Sequence, residues 1–89
     1  MKYYDWSADK NEQLKIERGI SFEEIISVIQ EKGAIKAIKH PNAKYAHQEA
    51  FIVELYDYAY MVPFVRDGNR IFLKTAFPSR KAQKKYLKR

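Results

Sequence analysis

The sequence predicts an α+β domain: an antiparallel sheet of about four strands, packed by two N-terminal helices and followed by a basic C-terminal helix. Three observations predict it. Ser21-Phe22-Glu23-Glu24 is a capping box that runs into apolar residues at helical spacing. From Phe51 onward, short runs of β-branched and aromatic residues are separated by turn residues at Asp57 and at Asp67-Gly68-Asn69. Strands joined by turns this short pair antiparallel, because parallel neighbours need a long crossover. After Pro78, cationic and apolar residues fall on two sides of a helical wheel.

The elements follow in order. Residues 2–6 are aromatic-rich and read as a short strand. Ser7 caps a first helix that runs to about Arg18, with Asp9 in its first turn and Gly19 just past its end. Leu14 and Ile16 are its apolar residues, so it is mostly exposed or packs against something outside the monomer. Ser21 caps the second helix, whose buried face is Phe22, Ile25, Ile26 and Ile29, and Gly33 ends it. Ala34 to Lys39 is a strand with one wet face, and His40 to Gln48 is a polar loop. Phe51–Tyr56, Tyr58–Val65 and Arg70–Phe77 are the remaining strands. Pro63 inside the second of these requires an edge, a bulge or an early end. On the last strand, alternation puts Ile71, Leu73, Thr75 and Phe77 on the core side and Arg70, Phe72, Lys74 and Ala76 on the other. Pro78 stops it and Ser79 caps the terminal helix, which can dock through Tyr86 and Leu87, on the side of the wheel that also holds Ala82.

The bulk properties exclude several classes. At 89 residues the chain is one domain, 1–89. With 46% hydrophobic and 15% aromatic residues it is not a disordered chain. It has no cysteine, hence no disulfide and no thiolate metal site. It shows no bilayer-length apolar run and no signal-peptide core, which makes the cytoplasm the expected location and a membrane role unexpected. The net charge is +6, and its placement is informative. Residues 1–78 carry 11 basic and 11 acidic residues, whereas residues 79–89 carry six basic residues and no acid. A positive field confined to one end attracts a polyanion or an acidic protein, or simply keeps a tail soluble.

The residues that carry chemistry are cations mixed with tyrosines. His40 and His47 are too few for a zinc site even with Glu49 nearby, so neither metal nor cofactor is expected. No glycine-rich phosphate loop is present. Arg66, Arg70 and Lys74 lie on or beside the last hairpin, and Arg80, Lys81, Lys84 and Lys85 follow it. Tyr56, Tyr58 and Tyr60 offer stacking surfaces for unpaired bases or ordinary strand packing. Such groups can cleave RNA without metal. The ribose 2′-hydroxyl is the nucleophile, arginine stabilises charge on the phosphate, and a lysine, histidine or tyrosine carries the proton.

Two blocks of the sequence resemble a known family. Tyr4-Asp5-Trp6, Asp9-Lys10-Asn11 and Gly19-Ile20-Ser21-Phe22-Glu23-Glu24 resemble the opening of the BrnT family of toxins. Arg66-Asp67-Gly68 and Ser79-Arg80-Lys81-Ala82 resemble that family's closing hairpin and terminal helix. The resemblance implies a RelE-like ribonuclease fold, messenger RNA cleavage that arrests growth, neutralisation by a cognate antitoxin, and operator DNA binding only through that antitoxin. It carries catalytic roles to Arg80 and Lys81, and to Arg66. Two departures accompany it. Glu17-Arg18-Gly19 stands where the family often has Lys-His-Gly, so the role of that histidine passes to Arg18 or is absent. The stretch from Gly68 to Arg80 is longer here and includes Pro78.

The expected function is therefore a metal-independent endoribonuclease toxin acting on messenger RNA, on the ribosome or free of it. Its expected catalytic residues are Arg80, Lys81, Arg66, Lys74 and Arg18, and its expected substrate-binding residues are Lys15, Arg70, Lys84, Lys85 and Tyr86. Lys15, Lys74 and Tyr86 are chosen from charge and position alone. Two other functions use the same residues. One is a non-catalytic nucleic-acid-binding module built on the basic helix, and the other is an adaptor for an acidic partner.

Overall fold

The computed structural model describes residues 3–39 and 48–87 and is an α+β fold with a mixed sheet. Strand β1 (Tyr3–Trp6) leads into helices α1 (Ala8–Arg18) and α2 (Phe22–Lys32). Strands β2 (Lys36–Lys39), β3 (Glu49–Leu55), β4 (Tyr58–Asp67), β5 (Arg70–Leu73) and β6 (Phe77–Pro78) follow. The chain then forms one α-helical turn, α3 (Arg80–Ala82), continued by a π-helical stretch over Gln83–Leu87. The order across the sheet is β1-β5-β4-β3-β2, with β6 also pairing β4. His40 and His47 lie outside the described residues.

The capping residues act as the sequence implies. The Ser7, Ser21 and Ser79 side chains accept from the backbone N–H groups of Lys10, Glu24 and Ala82. Each satisfies one of the donors that a helix start leaves without an internal partner. The α1–α2 corner is then fixed by Asn11. Its carbonyl accepts from the Phe22 N–H at 2.8 Å, and its amide donates to Glu23 at 2.7 Å. That pairing explains why a polar residue is buried on α1.

Two features of the sheet correct the sequence-based picture. First, the sheet is mixed and has six strands among the described residues, where an antiparallel sheet of about four was expected. β1 pairs with β5 in parallel, from Tyr3↔Arg70 to Trp6↔Leu73. Both helices and three strands separate these partners, which supplies the long connection that parallel pairing needs. Second, the expected strand Arg70–Phe77 is two strands. β5 pairs Leu73 with Phe64, but β6 pairs Phe77 with Met61. One more residue lies between the pairs on the β5–β6 side than on β4, which makes a bulge. It sits opposite Pro63, which has no N–H to give to the ladder and whose carbonyl accepts from Lys74 N–H at 2.8 Å. A one-residue slip exchanges the faces. Ile71 and Leu73 point into the core as expected, but beyond the bulge Ala76 is the buried core residue and Phe77 turns to the other side.

The sheet is apolar on both faces. On one, α1 and α2 cover Phe51, Val53, Val62, Phe64, Ile71 and Leu73 with Leu14, Phe22 and Ile25. Phe51 and Phe64 stack at 4.2 Å between centroids, and Trp6 lies 5.8 Å from Phe22. Burying side chains of this size contributes about 1.5–3 kcal/mol each, so this layer supplies most of the stability. Ile26 and Ile29 of the predicted α2 face are half-buried at its margin. On the opposite face, Tyr86 and Leu87 pack on the cluster of Ile52, Ala59, Ile38 and Met61, as the wheel pattern implies, and Ala82 is buried with them. Gln83 locks it, because its side-chain carbonyl accepts from the Ala59 N–H at 2.8 Å.

Candidate nucleic-acid interface

From Arg80 to Leu87, exposure alternates in pairs. Arg80 and Lys81 are exposed, Ala82 and Gln83 buried, Lys84 and Lys85 exposed, and Tyr86 and Leu87 partly buried. The repeat is four residues, slightly more than an α-helical turn holds. The wider π-helical winding after Ala82 suits that repeat and keeps all four cations on the solvent side. Among the described residues none of the four makes an ion pair, although the Lys85 ammonium lies 5.4 Å from the Tyr86 ring centroid. Closely spaced cations with no neutralising carboxylate form a surface that polyanions seek.

Beside this helix lies a groove of about 560 Å³ on the same face of the sheet. Lys81, Lys85 and Tyr86 line it from the helix, Lys39 from β2, and Phe77 from β6. Sequence reasoning missed Lys39 and Phe77. Lys39 precedes the helix by some forty positions, and nothing local ties the two together. Phe77 arrives through the bulge, for which Pro63 is the one sequence signal. Glu49 also lines the groove, and Arg66 holds it.

The other expected site residues are dispersed. Arg66 makes a two-pronged contact with Glu49, at 2.8 and 3.2 Å, and lies 5.4 Å from the ring of Phe64, a residue of the α1/α2 side. The Glu49 carboxylate also raises the Arg66 pKa above its ordinary value, so the guanidinium keeps its charge. Arg70 pairs with Asp5 at 3.1 Å and Asp67 at 3.9 Å, and its guanidinium lies 4.7 Å from the Phe72 ring centroid. Lys74 is exposed in the bulge. Lys15 and Arg18 lie on α1, across the sheet from the C-terminal helix, beside Glu12 and Glu17 respectively. The structure therefore brings together Arg80, Lys81, Lys84, Lys85 and Tyr86. It does not bring Arg66, Arg70, Lys74, Lys15 or Arg18 into the groove lining.

Of the three tyrosines on the β3–β4 hairpin, Tyr58 and Tyr60 meet edge to face at 6.5 Å, and Tyr60 packs on the core. Tyr56 is 70% exposed, at positive φ in the turn, and its hydroxyl donates to Glu24. That hydrogen bond raises the phenol pKa. A second groove, between α2 and this hairpin, is lined by Glu23, Glu24 and Glu54 with Lys32 and Tyr56, a sign of charge that repels phosphate. Among the described residues no group of His, Asp and Glu is placed to hold a metal ion, and no helix is long and apolar enough to cross a membrane.

No family model matches the chain, and no curated protein matches it.

Proposed function

We propose that this protein is an RNA-directed toxin of the BrnT-like, RelE-like kind: a cytoplasmic, metal-independent endoribonuclease that cleaves messenger RNA and is neutralised by a cognate antitoxin. Operator DNA is reached only through the antitoxin. The observation that carries the RNA half of the reading is the cationic side of the C-terminal helix, where Arg80, Lys81, Lys84 and Lys85 stand without counter-charge among the described residues. Arginine's planar fork suits a phosphodiester, and lysines along one face follow a phosphate backbone. The cleavage half is supported by the resemblance of Ser79-Arg80-Lys81-Ala82 and of the N-terminal block to the toxin family.

In the proposed reaction the ribose 2′-oxygen bonds to phosphorus as the 5′-oxygen leaves, giving a cyclic phosphate. Arg80 neutralises the phosphorane oxygens, while Lys81 or Tyr86 moves the proton. A specific observation favours a second reading, a binding module without catalysis: Arg66 and Arg18 are held away from the Arg80–Lys81 pair. One experiment separates the two. Single-stranded RNA is incubated with excess protein in EDTA. Cyclic-phosphate-ended fragments that vanish with Arg80→Ala/Lys81→Ala support the toxin reading. RNA that is retained at low salt yet stays intact leaves the binding module.

A further inference from the structure

Both faces of the sheet carry apolar residues, but they are unequally covered. One lies under two eleven-residue helices, and the other under a helical segment of three plus five residues. The shortfall is the groove, whose apolar lining includes Ile38, Ala50, Ile52, Met61, Pro63 and Phe77. A phosphate backbone gains nothing from such a lining, whereas apolar side chains do. Its charged margin is predominantly positive. Lys39, Lys81 and Lys85 contribute three positive charges, and the one carboxylate among the described lining residues, Glu49, is neutralised by Arg66. Apolar lining and lysine margin together specify an occupant that is greasy on one side and acidic along its edges.

We propose that this groove docks an acidic amphipathic segment of a partner protein, its apolar side chains entering over Ile52, Met61 and Phe77 and its carboxylates pairing with Lys39, Lys81 and Lys85. The docking does not depend on the RNA reading. Its competition with RNA does, because Lys81 and Lys85 belong to both surfaces.

The test is selection of peptides from a randomised display library on the full chain, followed by methyl-resolved NMR of the wild-type protein. Recovered peptides should combine Asp or Glu with large apolar residues. They should shift the methyl signals of Ile38, Ile52 and Met61 while leaving Val53 and Val62, on the opposite face, unmoved. Lys81→Glu with Lys85→Glu should weaken them about tenfold or more. Met61→Glu should do the same while the protein still binds single-stranded RNA. Recovered peptides that lack the acidic-apolar pattern, or that shift methyls elsewhere, overturn the proposal. So does a groove whose methyls respond to an RNA oligonucleotide and to no peptide. The wild-type NMR reading stands even where Met61→Glu fails to fold.

Discussion

Asn11 joins two helices with one side-chain amide. It is 5% exposed, and its carbonyl is the acceptor for the Phe22 N–H at the first turn of α2. Removing the side chain orphans that buried donor. Asn11→Ala should therefore lower stability by about 2 kcal/mol, read as a lower urea midpoint at unchanged slope. The same amide donates to Glu23 and is the main reason that this carboxyl titrates below the ordinary glutamate value; the Glu23 backbone N–H adds to the effect. A depressed folded-state pKa adds stability that is complete above the unfolded value, about 4.3, and is lost as the pH falls through the folded one. The gap between wild type and Asn11→Ala should thus narrow on acidification without closing, because the Phe22 bond does not titrate. A gap independent of pH would show that the Asn11–Glu23 contact contributes nothing.

At the scale of elements, the helix boundaries were legible because each is a local event. Ser7, Ser21 and Ser79 start helices, and Gly19 and Gly33 follow their ends, all within a few residues of the groups they satisfy. The two glycines differ in what they permit. Gly19 has φ 66° and ψ 24°, a left-handed conformation that other residues reach at a cost of about 1–2 kcal/mol. Gly33 has φ 79° and ψ 161°, a region that is essentially glycine's alone. A Cβ would meet no atom within 4 Å at either position, so any loss is conformational and not steric crowding. Gly33→Ala should destabilise more than Gly19→Ala, and Gly19→Asn should be milder than either. Thermal denaturation of the three variants reads this order directly. What the sequence hid is non-local. Nothing near Tyr3–Trp6 announces that its partner is Arg70–Leu73, or that the two run parallel. The bulge was half-visible in Pro63, but its position on the facing strand, which sends Ala76 to the core and Phe77 to the groove, depends on a register set by pairing. The grouping of Arg80, Lys81, Lys84 and Lys85 was legible as a helical pattern. The separation of Arg66, Arg18 and Lys15 from them was not, because it depends on which face of the sheet each element covers.

For the whole molecule, the sheet divides labour between its sides. The α1/α2 side is the packed layer, and three of its cations, Lys15, Arg18 and Arg66, stand beside carboxylates. The C-terminal helix lies across the sheet and carries cations with no such partners among the described residues. If RNA binds there, counterion release ties the loss of affinity with salt to the phosphates contacted, at about 0.7 in the log–log slope per contact on a single strand. Arg80→Gln with Lys84→Gln removes two contacts at positions outside the groove lining, and should flatten that slope by about 1.4. Lys32→Gln, in the last turn of α2 beside the acidic second groove, makes the same kind of charge change on the packed side and should leave the slope alone. Filter binding of one single-stranded RNA across a salt series distinguishes the sites, since each variant changes charge without touching a buried residue. Flattening by Lys32→Gln of about half that of the helix pair, in proportion to the charge removed, would mean that the protein's overall charge attracts RNA. Flattening confined to the helix pair would place the phosphates on that helix.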